Sequence, residues 1–170
     1  MVINFGLWPA GVDGSPFMLW QVLTYGFLHG DFMHIAFNMF ALWMFGRELE
    51  HIMGTKRFLI YYLTCVIGAA FVQLVVARYS GSIYPTIGAS GGVFGILLAF
   101  GMAFPNRMIM LIFPPIPMRA KYFVLLYGLL ELYLGVSKTA PGVAHFAHLG
   151  GMLFGFILLQ YWSNTRRKRP

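Results

Sequence analysis

Five apolar runs, at about 32–46, 58–77, 87–104, 119–137 and 143–162, divide this chain of 170 residues, and nothing else limits its fold so strongly. A helix needs about 20 apolar residues to cross the hydrocarbon core of a bilayer, and most of the runs approach that length. They are too continuous, and alternate too little, to be the strands of an outer-membrane barrel. With 59% apolar and 10% charged residues, the chain has too little polar material to cover a water-facing surface. The expected fold is therefore all-α: a polytopic transmembrane helical bundle, one domain over residues 1–170, with five spans.

Residues 1–31 carry Trp8, Trp20, Tyr25 and Phe27 among the helix breakers Pro9, Gly11, Gly14 and Pro16. They read as an outer interfacial loop, a lid or collar, ahead of a bundle over 32–162. The stretch holds no Lys or Arg and no long apolar core, so it is not read as a cleavable signal peptide. Residues 163–170 form a basic tail.

The net charge of +7 would suit nucleic acid, but the basic residues alternate with the spans instead of forming one patch. With the tail placed in the cytoplasm, Arg47, Lys56, Arg57, Arg107, Arg119 and Lys121 fall on the same side, and only Arg78 and Lys138 lie outside. That is a positive-inside pattern; it implies a lipid bilayer as partner and no nucleic acid. The expected location is the plasma or bacterial inner membrane, with a cytoplasmic C-terminus. The stretch MIMLIFPPIPMRAK, with Pro114, Pro115 and Pro117, is too broken to cross and reads as a cytoplasmic-side loop. Cys65, the single cysteine, reads as inert filler.

Polar side chains inside apolar runs each need a reason, since a central charge costs about 2.5–3.5 kcal/mol on insertion scales. His34 and Asn38 lie four apart, on one face of the first span. Ser90 opens the third within GASGG. His145 and His148 lie near the start of the fifth. The first, third and fifth spans run the same way, so His34, Asn38, Ser90 and His148 share one depth below the outer surface. A serine, two histidines and an asparagine are the parts for acyl transfer. Each also has a plainer reading: the paired glycines at 88/92, 91/95 and 151/155 are how membrane helices pack closely, and His34 with Asn38 can serve as interhelical hydrogen bonds.

Taken in order, LHGDFMHIAFNM, GRELEHIMG, GASG and AHLGGMLFG resemble the rhomboid family of intramembrane serine proteases, over about Trp20 to Gln160. The resemblance implies Ser90 as nucleophile, His148 as general base, and His34, Asn38 and the Ser90 N–H facing the oxyanion. It also implies membrane-anchored substrates cut in or near a transmembrane helix, at a site opening to the outer face. No metal and no other cofactor is implied. Glu48 and Glu50 lie on the opposite side, Asp13 and Asp31 in the outer loop and Glu131 within the fourth span, so no carboxylate is expected to orient His148 and a Ser-His dyad is expected. The family's aromatic ring four residues after the serine is here Phe94.

Two departures stand out. Where the family has Trp-Arg in the outer loop, this chain has Trp20-Gln21. The family core has six spans, one before the loop, so the resemblance implies a rhomboid domain lacking its first span. A catalytically inactive rhomboid-like pseudoprotease that binds membrane proteins is the rival reading; such proteins commonly lose the serine or the histidine, and both are present here. A zinc protease would need His-Glu-x-x-His, which does not occur, although His145 and His148 could join His34 around a metal. The sequence leaves the oligomeric state and the physiological substrate open.

Overall fold

The structure is a computed structural model describing residues 1–110, 115–140 and 142–167, without the side chains of Arg166 and Arg167. Pro114, Pro141 and the end of the basic tail, Lys168 onward, lie outside the described residues.

The chain is mostly helical. Short turns α1 (Val2–Phe5) and α2 (Gln21–Thr24), the latter continued by a 3₁₀ turn at Tyr25–Phe27, give the N-terminal segment its shape. Helix α3 (Phe32–Ala41) runs on through a π-turn, Leu42–Gly46, into α4 (Arg47–Met53). Gly54, at φ 79, breaks the chain before α5 (Thr55–Ser80). Helix α6 (Ser90–Ala103) follows a loop, and strands β1 (Met108–Met110) and β2 (Pro117–Arg119) come before α7 (Ala120–Ser137) and α8 (His145–Arg167).

The five apolar runs thus all become helices, with bounds close to those expected. Among the described residues, α5 and α7 are long and apolar enough to cross a membrane. Helix α6, of 14 residues, rises only about 21 Å at 1.5 Å per residue, less than the roughly 30 Å of a hydrocarbon core. Its first turn is approached by a non-helical stretch, Gly81–Ala89.

Helix α6 is the centre of the packing. Nine of its residues are buried, among them Ile96, Leu97 and Phe100, and they meet Phe45, Leu49, Tyr61, Cys65 and Val124 from the surrounding helices. Close approach depends on missing side chains: a Cβ on Gly151 would overlap the carbonyl of Gly91, so α6 and α8 touch backbone to backbone there. Cys65 is fully buried against Gly95.

The proline-rich stretch is more ordered than its composition suggests. β1 and β2 pair antiparallel, Met108 opposite Arg119 and Met110 opposite Pro117, with Ile109 turned into the core. Three-residue strands are too short for alternation to show in a sequence. At the same end, Arg107 donates to both carboxylate oxygens of Glu48, at 2.7 and 2.8 Å.

The N-terminal segment is compact and is organised by Gln21. That side chain is fully buried; its amide nitrogen donates to the carbonyls of Ile3 and Pro16, and its oxygen accepts from the N–H of Trp8. Three separated backbone groups are thereby satisfied at once. Gln21 is therefore the anchor at the place where the resemblance calls for arginine.

Candidate active site

Three helix beginnings meet at one end of the molecule. At the first, Asp31 caps α3, its carboxylate accepting the N–H of His34 at 2.8 Å. An aspartate just ahead of an apolar run is a recognised helix start. The N–H of Gly30 then donates to His34 Nδ1 at 3.3 Å, which leaves the ring proton on Nε2. Four residues on, Asn38 is buried, and its amide donates to the carbonyl of His34 at 2.8 Å, leaving its second N–H free for a ligand.

The second beginning is that of α6. Gly88, at φ 127, holds a conformation that side-chain-bearing residues rarely adopt, and a Cβ there would stand 2.7 Å from His34 Nε2. The missing side chain lets the imidazole lie over the turn that leads into Ser90. This turn is braced from the N-terminal segment: Gly88 N–H donates to the carbonyl of Tyr25, and Leu7 and Thr86 exchange backbone hydrogen bonds at 2.9 Å. Ser90 is the first residue of α6, where the opening N–H groups have no partner within the helix and favour an anion.

The third beginning brings His148, in the first turn of α8. Its Nε2 lies 2.7 Å from Ser90 Oγ, and its ring stacks on Phe94 with centroids 4.3 Å apart and planes within 4° of parallel. The ring is therefore fixed in both direction and plane.

One expectation is corrected here. A carboxylate does reach His148: Glu131 Oε2 is 2.8 Å from His148 Nδ1, and also 2.7 Å from His145 Nδ1. All three residues are buried. Glu131 lies six residues before the end of α7 and His148 three after the start of α8, roughly 9 and 5 Å from the turn between them. Two helices joined by a short turn run antiparallel, so these positions face each other. A lone acid in an apolar run, a short turn ahead of two histidines, was the signal available in the sequence.

Glu131, His145 and His148 present ligand atoms within 4.8 Å of one another, a grouping that could suit a metal. The oxygen-to-nitrogen separations of 2.7 and 2.8 Å are hydrogen-bond lengths. Ligands about 2.0–2.1 Å from a tetrahedral zinc would stand on the order of 3.3 Å apart. His34, the third histidine considered for such a site, lies instead beside Gly88.

Two cavities reach this cluster. One, of about 570 Å³, is apolar: Phe37, Phe45, Phe94, Leu97 and Phe123 line it, and His34, Asn38 and Ser90 bring its polar groups. The other, of about 430 Å³, is lined by polar groups including Asp31, His34, Gln73, Ser82 and Thr86. His34 borders both.

Comparison with known proteins adds a family to this geometry. Residues 16–164 match the family model of the Rhomboid domain. The chain is 29% identical over 151 residues to Rhomboid protein 1, mitochondrial, of Saccharomyces cerevisiae, covering 88% of this chain and 43% of that protein. It is 30% identical over 149 residues to the human Presenilin-associated rhomboid-like protein, mitochondrial (81% of this chain, 38% of that protein). It is also 33% identical over 144 residues to Rhomboid protease GluP of Bacillus subtilis (81% and 25%). The chain thus spans less than half the length of these relatives, which are mitochondrial or bacterial.

Proposed function

The chain belongs to the rhomboid family, and from that premise we propose that it is an intramembrane serine endopeptidase, cutting membrane-anchored proteins in or near a transmembrane helix. The observation that carries this reading is the 2.7 Å contact between Ser90 Oγ and His148 Nε2, beside donors that converge on the same space. As Ser90 Oγ adds to the scissile carbonyl, its proton passes to His148 Nε2. The oxyanion formed is faced by the Ser90 N–H, His34 Nε2–H and the free Asn38 amide hydrogen. Collapse breaks the C–N bond, and the leaving amine takes the proton from His148. Water, deprotonated in turn by His148, adds to the acyl carbon; the bond to Ser90 Oγ breaks, Oγ takes the proton back from His148, and the acyl group leaves as the acid.

The membrane setting has its own support. Large apolar residues are exposed on every outer helix, including Leu59, Phe71, Leu125, Leu129, Leu153 and Phe156. A surface of that kind is stable against lipid and not against water. We place the five apolar helices in the bilayer as a multi-pass bundle, with the Arg107 and Arg119 end in the cytoplasm and Ser90 opening to the other face. The apolar cavity beside Ser90 suits a substrate segment drawn from the hydrocarbon region. A helical peptide bond is hidden, so a segment weakened by Gly or Pro enters more easily.

A fluorophosphonate probe tests the reading, because it reacts only with an activated serine. The purified protein in detergent is expected to be labelled, and Ser90→Ala and His148→Ala are not. Equal labelling of all three, or no labelling of any, returns the chain to the pseudoprotease reading, a binder that does not cut.

A further inference from the structure

The hydrogen bonds around Glu131 assign protons. A carboxylate only accepts, so His148 carries its ring proton on Nδ1, facing Glu131 Oε2 at 2.8 Å, and its Nε2 is left bare toward Ser90 Oγ. That is the tautomer a general base needs. His145 differs: its Nδ1 faces the same carboxylate oxygen and its Nε2 faces the carbonyl of Ala140 at 3.3 Å. Both neighbours are acceptors, so a proton on either ring nitrogen has a partner.

We propose that Glu131 and His145 are positioning residues for the Ser90–His148 pair, an inference that rests on the catalytic reading of that pair. Glu131 fixes the tautomer and direction of His148 and offsets the positive charge that ring gains when it takes the serine proton. His145 offers the same carboxylate oxygen a second donor, its Nδ1–H, at 2.7 Å. A buried carboxylate is costly to leave without partners, and the second ring helps hold it beside His148. Helix α7 supplies the acid and α8 both rings, so the arrangement also ties these two helices together at the level of the nucleophile.

Two measurements on the full chain test the proposal. In the first, cleavage of a transmembrane substrate and fluorophosphonate labelling are compared in wild type, Ser90→Ala, His148→Ala and Glu131→Gln, each with a thermal melt. Glu131→Gln is expected to lower kcat and the labelling rate by about 10²-fold with KM little changed, because the amide keeps the volume but loses the charge. If the serine and histidine variants are dead and Glu131→Gln works at the wild-type rate, the positioning role is overturned and the catalytic reading stands; if the serine and histidine variants cleave normally, both fall.

The second measurement does not depend on a variant folding. Nitrogen-15 NMR of histidine-labelled wild type is expected to show the Nδ1 protons of both His148 and His145 hydrogen-bonded to a carboxylate, with the neutral His148 ring bare at Nε2. A neutral His148 ring protonated on Nε2 overturns the role of Glu131, and a bare Nδ1 on His145 overturns the role of His145.

Discussion

The rings of Phe94 and His148 lie face to face, 4.3 Å apart and 4° from parallel. The stack sets the plane of the imidazole, while hydrogen bonds at its two nitrogens set its rotation within that plane. Phe94 is on α6 one turn after Ser90, so one short helix carries both the serine and the surface on which its partner rests. Removing the ring while keeping the bulk is therefore expected to affect turnover more than folding. Phe94→Leu should lower kcat about tenfold, in line with the upper part of the roughly 0.5–1.5 kcal/mol assigned to aromatic stacking, and Phe94→Tyr should stay near wild type. Steady-state cleavage of a tagged transmembrane substrate measures both.

Ser90→Ala is expected to abolish cleavage with little change in the melting temperature. The variant loses one side-chain hydrogen bond, about 1 kcal/mol net, and no packing volume of consequence. Wild-type turnover in this variant would remove Ser90 from the reaction.

His34→Ala and Asn38→Ala each take one donor from the oxyanion while leaving serine and base in place. Each should slow cleavage by about 10²- to 10³-fold and still allow labelling at high probe concentration. Loss of the folded protein in either variant would identify the residue as interhelical support instead.

Gly151 lets α6 and α8 meet backbone to backbone, and Gly151→Ala should fail for a geometric reason. The new Cβ would overlap the Gly91 carbonyl, forcing α6 and α8 apart and Ser90 away from His148. Both the melt and the labelling should collapse. By contrast, Gly14→Ala, at φ 75 with open space around it, should cost only about 1 kcal/mol of backbone strain and leave labelling unchanged.

His29 gives the outer loop a pH dependence. Burial, with the His34 ring 5.0 Å away, holds it below the ordinary imidazole range, and its Nε2 is buried without a partner among the described residues. The fold thus favours the neutral ring. Its contribution is fully present above the unfolded value of about 6.5 and is lost as the pH falls through the lower folded value. Wild type should lose more melting temperature between pH 7.5 and pH 5 than His29→Phe does; parallel losses would assign the acid sensitivity to another group.

Much of this architecture could be read from residue order. The run at 58–77 became α5, and Ser90 sits at the head of α6 because Gly88 and Ala89 precede it and, after Gly91 and Gly92, an unbroken apolar stretch follows. What could not be read shares one cause: it depends on contacts between separate elements, which residue order does not mark. Glu131 seemed isolated because its partners lie 14 and 17 residues away, across a turn. Gln21 is a departure from the Trp-Arg of the family, and its anchoring role was not legible because the carbonyls it binds, on Ile3 and Pro16, carry no mark in the sequence. With three prolines the stretch reads as a loop, yet Pro117 sits at the end of a two-stranded ribbon, where its missing N–H matters little.

The position of His34 on the wall between an apolar and a polar cavity has a consequence for the order of events. Hydrolysis through an acyl-serine consumes two reagents of opposite solubility, a lipid-soluble polypeptide and then a water molecule. With a single entrance, the first would have to leave before the second could arrive. On the proposed mechanism the two would come from different sides of His34, and an acyl group on Ser90 would meet water while the rest of the polypeptide still filled the apolar cavity. The dwell time of the cleaved segment and the lifetime of the ester bond would then be independent quantities, one set by the lipid-facing helices and the other by the polar cavity around Gln73 and Ser82.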